Sequence, residues 1–175
     1  HFSPDDKKTL WRNKGDILSR MGRYREASAA YLEAISVNPE DWHLWEKRAA
    51  ALELPGAPEE AIACFRRSLE FHPNNAAAHL ALGNLLYKSD QKAQAVEHFR
   101  VVLVHDPSSV PALRNLAAVL FNLDRFSEAG ESFEKLAALA PDSPAHLAHA
   151  RDAYLNAKDR GMALQTARRL MELEP

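Results

Sequence analysis

His146, His149 and Asp152 stand three residues apart in turn, a spacing that lays two imidazoles and a carboxylate along one helix face, within geometric reach of a divalent metal. No H-E-x-x-H accompanies them, and two surface histidines on a helix have the same spacing, so the simpler reading is adopted and no metal is expected. Cys64 is the single cysteine, which excludes an intrachain disulfide framework and a cysteine-based metal cluster. It has no basic neighbour in sequence to lower its pKa, so it reads as a small filler and not a nucleophile. His72 and His105 precede prolines, and packing or capping accounts for them and for His79 better than ligation. The six glycines form none of the spacings that cradle a phosphate. Arg66-Arg67 and Arg168-Arg169 read as solvated helix faces. No catalytic residue and no cofactor is expected, and the chain is not read as an enzyme.

The elements that carry these residues belong to a chain of 175 residues with 22 Lys+Arg against 24 Asp+Glu and a formal charge of −2. The signs stay balanced along the chain, so neither nucleic acid nor an acidic membrane surface is an expected partner. Apolar residues make up 46%, enough for a buried core. No uninterrupted apolar run reaches the roughly 18 residues of a membrane span, so no membrane insertion is expected. The first residue is His1 and no charged-then-apolar leader follows, which makes a cytoplasmic location the expectation.

A single period organises the whole chain. Pro39, Pro73, Pro107, Pro141 and Pro175 stand 34 residues apart, and so do Ala27, Ala61, Ala95, Ala129 and Ala163. Four residues after each alanine comes Tyr31, Phe65, Phe99 or Phe133, until Ala167 breaks the series. Trp11, Trp45, His79, Leu113 and Leu147 keep the same interval. Each unit reads as two helices of about a dozen residues, from apolar runs such as Leu82, Leu85, Leu86 and Ala95, Phe99, Val102, Leu103 at helical spacing. Gly22, Gly56, Asp90 and Asp124 fall between them and suit a helix-ending turn. Pro55 and Pro58 forbid helix continuation around Gly56. The small Gly83 and Ala95 allow close helix approach, Phe99 fills the space between units, and each terminal proline makes a corner. One helix pair cannot bury its apolar face alone, so stacking must supply the core.

The pattern resembles the tetratricopeptide repeat, whose signature is aromatic, Leu-Gly, Tyr, Ala, Phe and Pro over about 34 residues. Trp11, Gly15, Ala27, Tyr31, Ala34 and Pro39 carry it in the first unit, and Leu82-Gly83 and Leu116-Ala117 add to it later. The resemblance implies an all-α fold, an α-solenoid (right-handed superhelix) of antiparallel helix pairs. Residues 1–7 are a lead-in, and the repeats span 8–41, 42–75, 76–109, 110–143 and 144–175. The fifth departs most, with Arg151 for a small residue and Ala167 for an aromatic.

The resemblance further implies that the first helix of each repeat lines a concave groove. Its N-terminal part then carries Arg12, Asn13, Asp16, Arg20, His43, Glu46, Lys47 and Glu53. Further along come Leu80, Asn84, Tyr87, Lys88, Arg114, Asn115, Phe121, Asn122, His149, Asp152 and Leu155. Asparagines can bond both N–H and C=O of an extended peptide, and Tyr87 and Phe121 suit anchor pockets. The partner-binding set is Arg12, Asn13, Asp16, Lys47, Asn84, Tyr87, Lys88, Arg114, Asn115, Phe121 and Asn122, and the expected partner is a protein or peptide. Chaperone-binding members clamp a terminal carboxylate with lysines, an arginine and asparagines. Here Asn84 and Asn115 fit, but Leu80, Ala145 and His149 occupy the cationic positions, so that clamp is disfavoured. The frame starting at Arg12 fails at Asp16, Ala77 and Ala81. Trp42 lies outside the repeat pattern and reads either as a contact site or as packing over the preceding corner.

The last helix retains Leu164, Leu170, Met171 and Leu173 at positions matched to Val96, Val102 and Leu103. The expectation is that the chain is a segment of a longer protein, or that another copy covers this face. An interaction scaffold is the first functional class. The second is a recruiting or regulatory arm of a larger enzyme such as a glycosyltransferase, whose asparagine ladder Asn13 and Asn115 fit and Lys47, Ala81 and His149 break. A self-assembling array is the third.

Overall fold

The turn inside each repeat is the most regular feature of the molecule. In the computed structural model, which describes residues 3–54, 56–141 and 143–173, Gly22, Gly56, Asp90, Asp124 and Lys158 all have positive φ, between 56° and 77°. Each donates its N–H to the carbonyl three residues back, and the next residue donates to the carbonyl five back: Gly22 to Ser19 (3.0 Å) and Arg23 to Leu18 (2.9 Å), through to Lys158 to Leu155 (3.0 Å) and Asp159 to Tyr154 (2.9 Å). This is the left-handed cap that satisfies the last carbonyls of a helix. Glycine enters that conformation freely, and aspartate more readily than most other residues. Lys158 enters it with neither advantage.

These turns and the proline corners delimit the helices α1 (Pro4–Arg20), α2 (Tyr24–Val37), α3 (Trp42–Glu53), α4 (Pro58–Phe71), α5 (Ala76–Lys88), α6 (Lys92–His105), α7 (Val110–Asn122), α8 (Phe126–Leu139), α9 (Pro144–Asn156) and α10 (Arg160–Leu173). No strand occurs among the described residues, and the fold is an all-α solenoid of helix pairs, one pair per repeat. None of the helices is long and apolar enough to cross a membrane, among the described residues. α1 starts at Pro4, inside the segment read as a lead-in, because Ser3 caps it: its Oγ accepts from the Asp6 N–H (3.1 Å) and the Asp6 carboxylate accepts from the Ser3 N–H (3.0 Å). At the corners, the N–H of Asn38, His72, Asp106 and Ala140 closes the second helix on the carbonyl four residues back, just before each proline. Pro55 and Pro175 lie outside the described residues.

The chain divides into two compact units, His1–Leu85 and Leu86–Pro175. In the first, α1 packs on α2, α2 on α3 and α3 on α4. Leu18, Ala27, Ala30, Tyr31 and Ala51 form one core cluster, Ala34, Ile35 and Leu44 another, and Trp11 packs against both. Trp45 donates its indole N–H to the Pro39 carbonyl (2.7 Å), and His79, one period later, meets the Pro73 carbonyl through Nε2 (2.9 Å). Histidine thus takes over the tryptophan's corner bond, within the packing or capping role expected of it. Trp42 is half-buried and stacks between His43 (3.8 Å) and His72 (4.5 Å), so packing at the corner accounts for it.

In the second unit α6 to α10 stack in chain order. Phe99 is fully buried, a burial worth about 1.5–3 kcal/mol. Val96 and Val102 are buried as expected, whereas Leu103 is only half-buried. The helices approach through matched pairs of small and large residues. A Cβ on Gly15 would lie 2.5 Å from the Tyr31 ring, and one on Gly130 would lie 2.6 Å from the Tyr154 ring. Tyr154 occupies the position held by Leu18, Leu52, Leu86 and Leu120 in the other repeats, and Gly130 makes room for its larger ring. The two departures of the fifth repeat, Arg151 and Ala167, fall on the position pair of Gly15 and Tyr31, so a large residue at one position goes with a small residue at the other.

Candidate functional site

Positions three and four apart on a helix share a face, and on the first helix of each repeat this face carries the sequence-predicted residues. In the first unit, α1 presents Arg12, Asn13 and Asp16, and α3 presents Lys47. Arg12 and Asn13 are exposed, while Asp16 and Lys47 are half-buried. Lys47 Nζ reaches Asp16 Oδ1 at 2.8 Å, an ion pair that bridges α1 and α3. Tyr31, from the second helix, donates its hydroxyl to the same oxygen at 2.8 Å, and Lys47 also sits 6.0 Å over its ring. Burial pushes the Asp16 carboxyl up, but the bonds from Lys47 and Tyr31 outweigh it and hold the pKa below its ordinary value. Burial, and then the bond to Asp16, raise the Tyr31 phenol. The charges of Asp16 and Lys47 therefore largely cancel each other, which leaves Arg12 as the outward cation of this set.

Glu46 is half-buried beside them; Ser68 Oγ donates to it at 3.2 Å and the Asn75 amide also bonds it. Burial raises its pKa in spite of these bonds. Asn84, at the end of the first unit, is half-buried on α5.

In the second unit, Asn122 at the end of α7 donates its amide to the Tyr87 hydroxyl of α5 at 2.7 Å. Phe121 is half-buried and meets Phe126 edge to face at 5.1 Å. Ala118, Phe121, Asn122, Phe133, His149 and Asp152 line a cavity of about 290 Å³. Its floor is apolar, and its rim carries an amide, an imidazole and a carboxylate. Asn115 is half-buried on the same helix, and Arg114 and Lys88 are exposed. Neither cation has a carboxylate within ion-pair distance among the described residues, whereas Asp152 is taken by Arg151 at 2.7 Å.

The helix-face chemistry that opened the sequence reading dissolves in this setting. His149 packs on the Phe133 ring at 5.1 Å and Asp152 bonds Arg151, so they do not converge with His146. Among the described residues no three His, Cys, Asp or Glu side chains are placed to hold a metal. Cys64 is buried, and burial pushes its thiol pKa up, away from the thiolate a nucleophile needs. What the first-helix face offers is hydrogen bonding, charge and apolar contact.

Sequence reasoning missed two members of this surface. Tyr31 and Phe133 sit at the repeat position read as pure packing, yet Tyr31 turns its hydroxyl to the Asp16–Lys47 pair and Phe133 remains half-buried at a cavity floor. No sequence signal marks them, since the same repeat position carries Phe65 and Phe99, which are both buried.

Three models of one family, each described as tetratricopeptide repeat, match residues 12–76, 54–120 and 110–143. No curated protein sequence matches the chain. Among solved structures, MamA aligns with a TM-score of 0.83 at 20% identity, covering 97% of this chain and 93% of that one. MamA 41-end from Desulfovibrio magneticus RS-1 aligns with 0.77 at 24% identity, covering 97% and 96%. YrrB, described as a TPR protein with an unusual peptide-binding site, aligns with 0.77 at 19% identity, covering 94% and 85%. At these identities the structural likeness carries the fold alone. Together the family models span residues 12–143, and the chain belongs to the tetratricopeptide repeat family.

Proposed function

We propose that the protein is an interaction scaffold that binds a peptide or helix of a partner protein on the face lined by the first helices. The observation that carries this reading is the cavity of Ala118, Phe121, Asn122, Phe133, His149 and Asp152, in which an apolar floor is rimmed by polar groups. Such a site holds a side chain by desolvation and orients its backbone by hydrogen bonds. Membership of a family of scaffolds supports it, and so does YrrB, a neighbour in fold with a peptide-binding site of its own. The test is affinity capture from the source cell's extract with the native protein and with Tyr87→Ala/Arg114→Glu/Phe121→Ala, after circular dichroism shows both to be folded. A partner retained only by the native protein supports the reading. Equal capture by both overturns it.

A second reading, self-association through α10, has its own observation. Leu164 is 55% exposed and Met171 72%, at positions where Val96 is 0% and Ala137 4% exposed. Light scattering over a concentration series separates the readings, since a monomer at every concentration removes this one.

A further inference from the structure

The cavity at the end of α7 has a chemistry that narrows what it accepts, and the following deepens the groove reading on which it rests. Its volume, 290 Å³, lies at or below the roughly 300–1,000 Å³ of sites that enclose a whole small molecule. One side chain fits it better than a cofactor. Ala118, Phe121 and Phe133 make its floor apolar, so that side chain is aromatic or long and aliphatic.

The charges around it are not balanced. Asp152 is the one carboxylate lining the cavity, and Arg151 bonds it through both Nε (2.8 Å) and Nη2 (2.7 Å). Arg151 already neutralises much of that carboxylate, so a cationic side chain would find little uncompensated charge in the cavity. Arg114 lies four residues before Ala118 on α7, one helical turn away, about 6 Å along the axis on the same face. Lys88 follows Tyr87, whose hydroxyl holds Asn122 at the cavity rim. Both cations are exposed and neither has a carboxylate in ion-pair range among the described residues. Elsewhere in this unit Arg100 and Arg125 both pair with Glu128, and Arg169 pairs with Glu134. Two cations without a carboxylate partner among the described residues thus lie on α5 and α7, the helices whose Tyr87 and Asn122 meet at the cavity rim.

We infer that the cavity is the anchor site for an acidic segment of a partner protein, which inserts one aromatic or long aliphatic side chain over Phe121 and Phe133 and places carboxylates against Arg114 and Lys88. Bidentate pairing to Arg114 sets the register, and Lys88 contributes a point charge.

The experiment is selection of random twelve-residue peptides displayed on phage against the full chain, followed by fluorescence anisotropy on synthetic copies of the selected peptides. The arms are the native protein, Phe121→Ala, Arg114→Glu/Lys88→Glu, and Arg12→Glu in the other unit. The expected consensus is one aromatic or aliphatic residue with Asp or Glu within a few positions. Affinity should fall about tenfold or more in Phe121→Ala and in the charge-reversed pair, and about equally on raising salt from low to physiological strength, but not in Arg12→Glu. Selected peptides that lose affinity in Phe121→Ala yet carry no acidic bias, or a basic one, overturn this inference while leaving the groove reading standing. Selected peptides indifferent to every one of these substitutions, or no selected peptide at all, overturn both.

Discussion

Replacing Gly15 by alanine tests the packing on which the whole first unit depends. The added Cβ would stand 2.5, 2.6 and 2.9 Å from Cε1, Cδ1 and Cζ of the Tyr31 ring, where carbon atoms need about 3.5–4.0 Å. The ring must move by about 1 Å, and Tyr31 is only 3% exposed, with Leu18, Ala27, Ala30 and Ala51 in its core cluster. Its hydroxyl also moves away from Asp16, to which it donates at 2.8 Å. Over-packing of this kind costs about 1–3 kcal/mol, and the lost hydrogen bond about 0.5–1.5 kcal/mol more. Alanine's better helix propensity returns about 0.5–1 kcal/mol. The net expectation is destabilisation by about 0.5–4 kcal/mol. Trp11, Trp42 and Trp45 are the chain's only tryptophans and all lie in the unit His1–Leu85, so urea unfolding followed by their fluorescence reads this unit. In a Tyr31→Ala background the same substitution should become neutral or stabilising, because the obstacle is gone. A fluorescence midpoint that stays put or rises for Gly15→Ala alone would refute the reasoning, showing that the ring relaxes at no cost.

Gly130→Ala should destabilise the second unit by about 1–3 kcal/mol, since its Cβ would fall 2.6 Å from the Tyr154 ring; urea unfolding by circular dichroism checks it, and adding Tyr154→Leu should restore the midpoint. Lys158→Gly should stabilise that unit by up to about 1 kcal/mol, because Lys158 holds φ 61° where glycine stands at 22 and 56; an unchanged or lower midpoint contradicts it. The pH profile follows Asp16, whose folded pKa is depressed: its stabilisation is present above the unfolded pKa and is lost as pH falls through the folded one. The fluorescence midpoint should therefore drop between about pH 5 and pH 2, and drop less in Asp16→Asn. Equal acid loss in the two proteins would remove Asp16 from the account.

The period was fully legible because each of its markers has a local cause. Proline stops a helix except in its first turn, where Pro4, Pro58, Pro111 and Pro144 stand, and glycine or aspartate at the fifteenth position announces a left-handed turn. Lys158 shows the limit of that logic: it takes the same turn without the residue type, since the flanking helices leave it no alternative. His79 was readable as a packing or capping residue, and its bond to Pro73 reproduces that of Trp45 to Pro39. The pairings that shape the candidate site were not legible. Asp16 and Lys47 are 31 residues apart and Tyr87 and Asn122 are 35 apart, near one period but not at it, so neither pair is marked by the repeat. Gly130 and Tyr154 lie on neighbouring repeats and depart from the pattern together, which a reading of one repeat at a time does not register.

The claim that the first-helix face is where this protein meets its partner can be tested without knowing the partner. A photo-reactive p-benzoyl-phenylalanine placed at Leu155, exposed on the first helix of its repeat, is compared in the producing cells with one at Ala138, exposed on a second helix. The account predicts a cross-linked protein from Leu155 that is missing from Ala138 and is lost on adding Phe121→Ala. A cross-link from Ala138 alone, or one from Leu155 that survives Phe121→Ala, would contradict it.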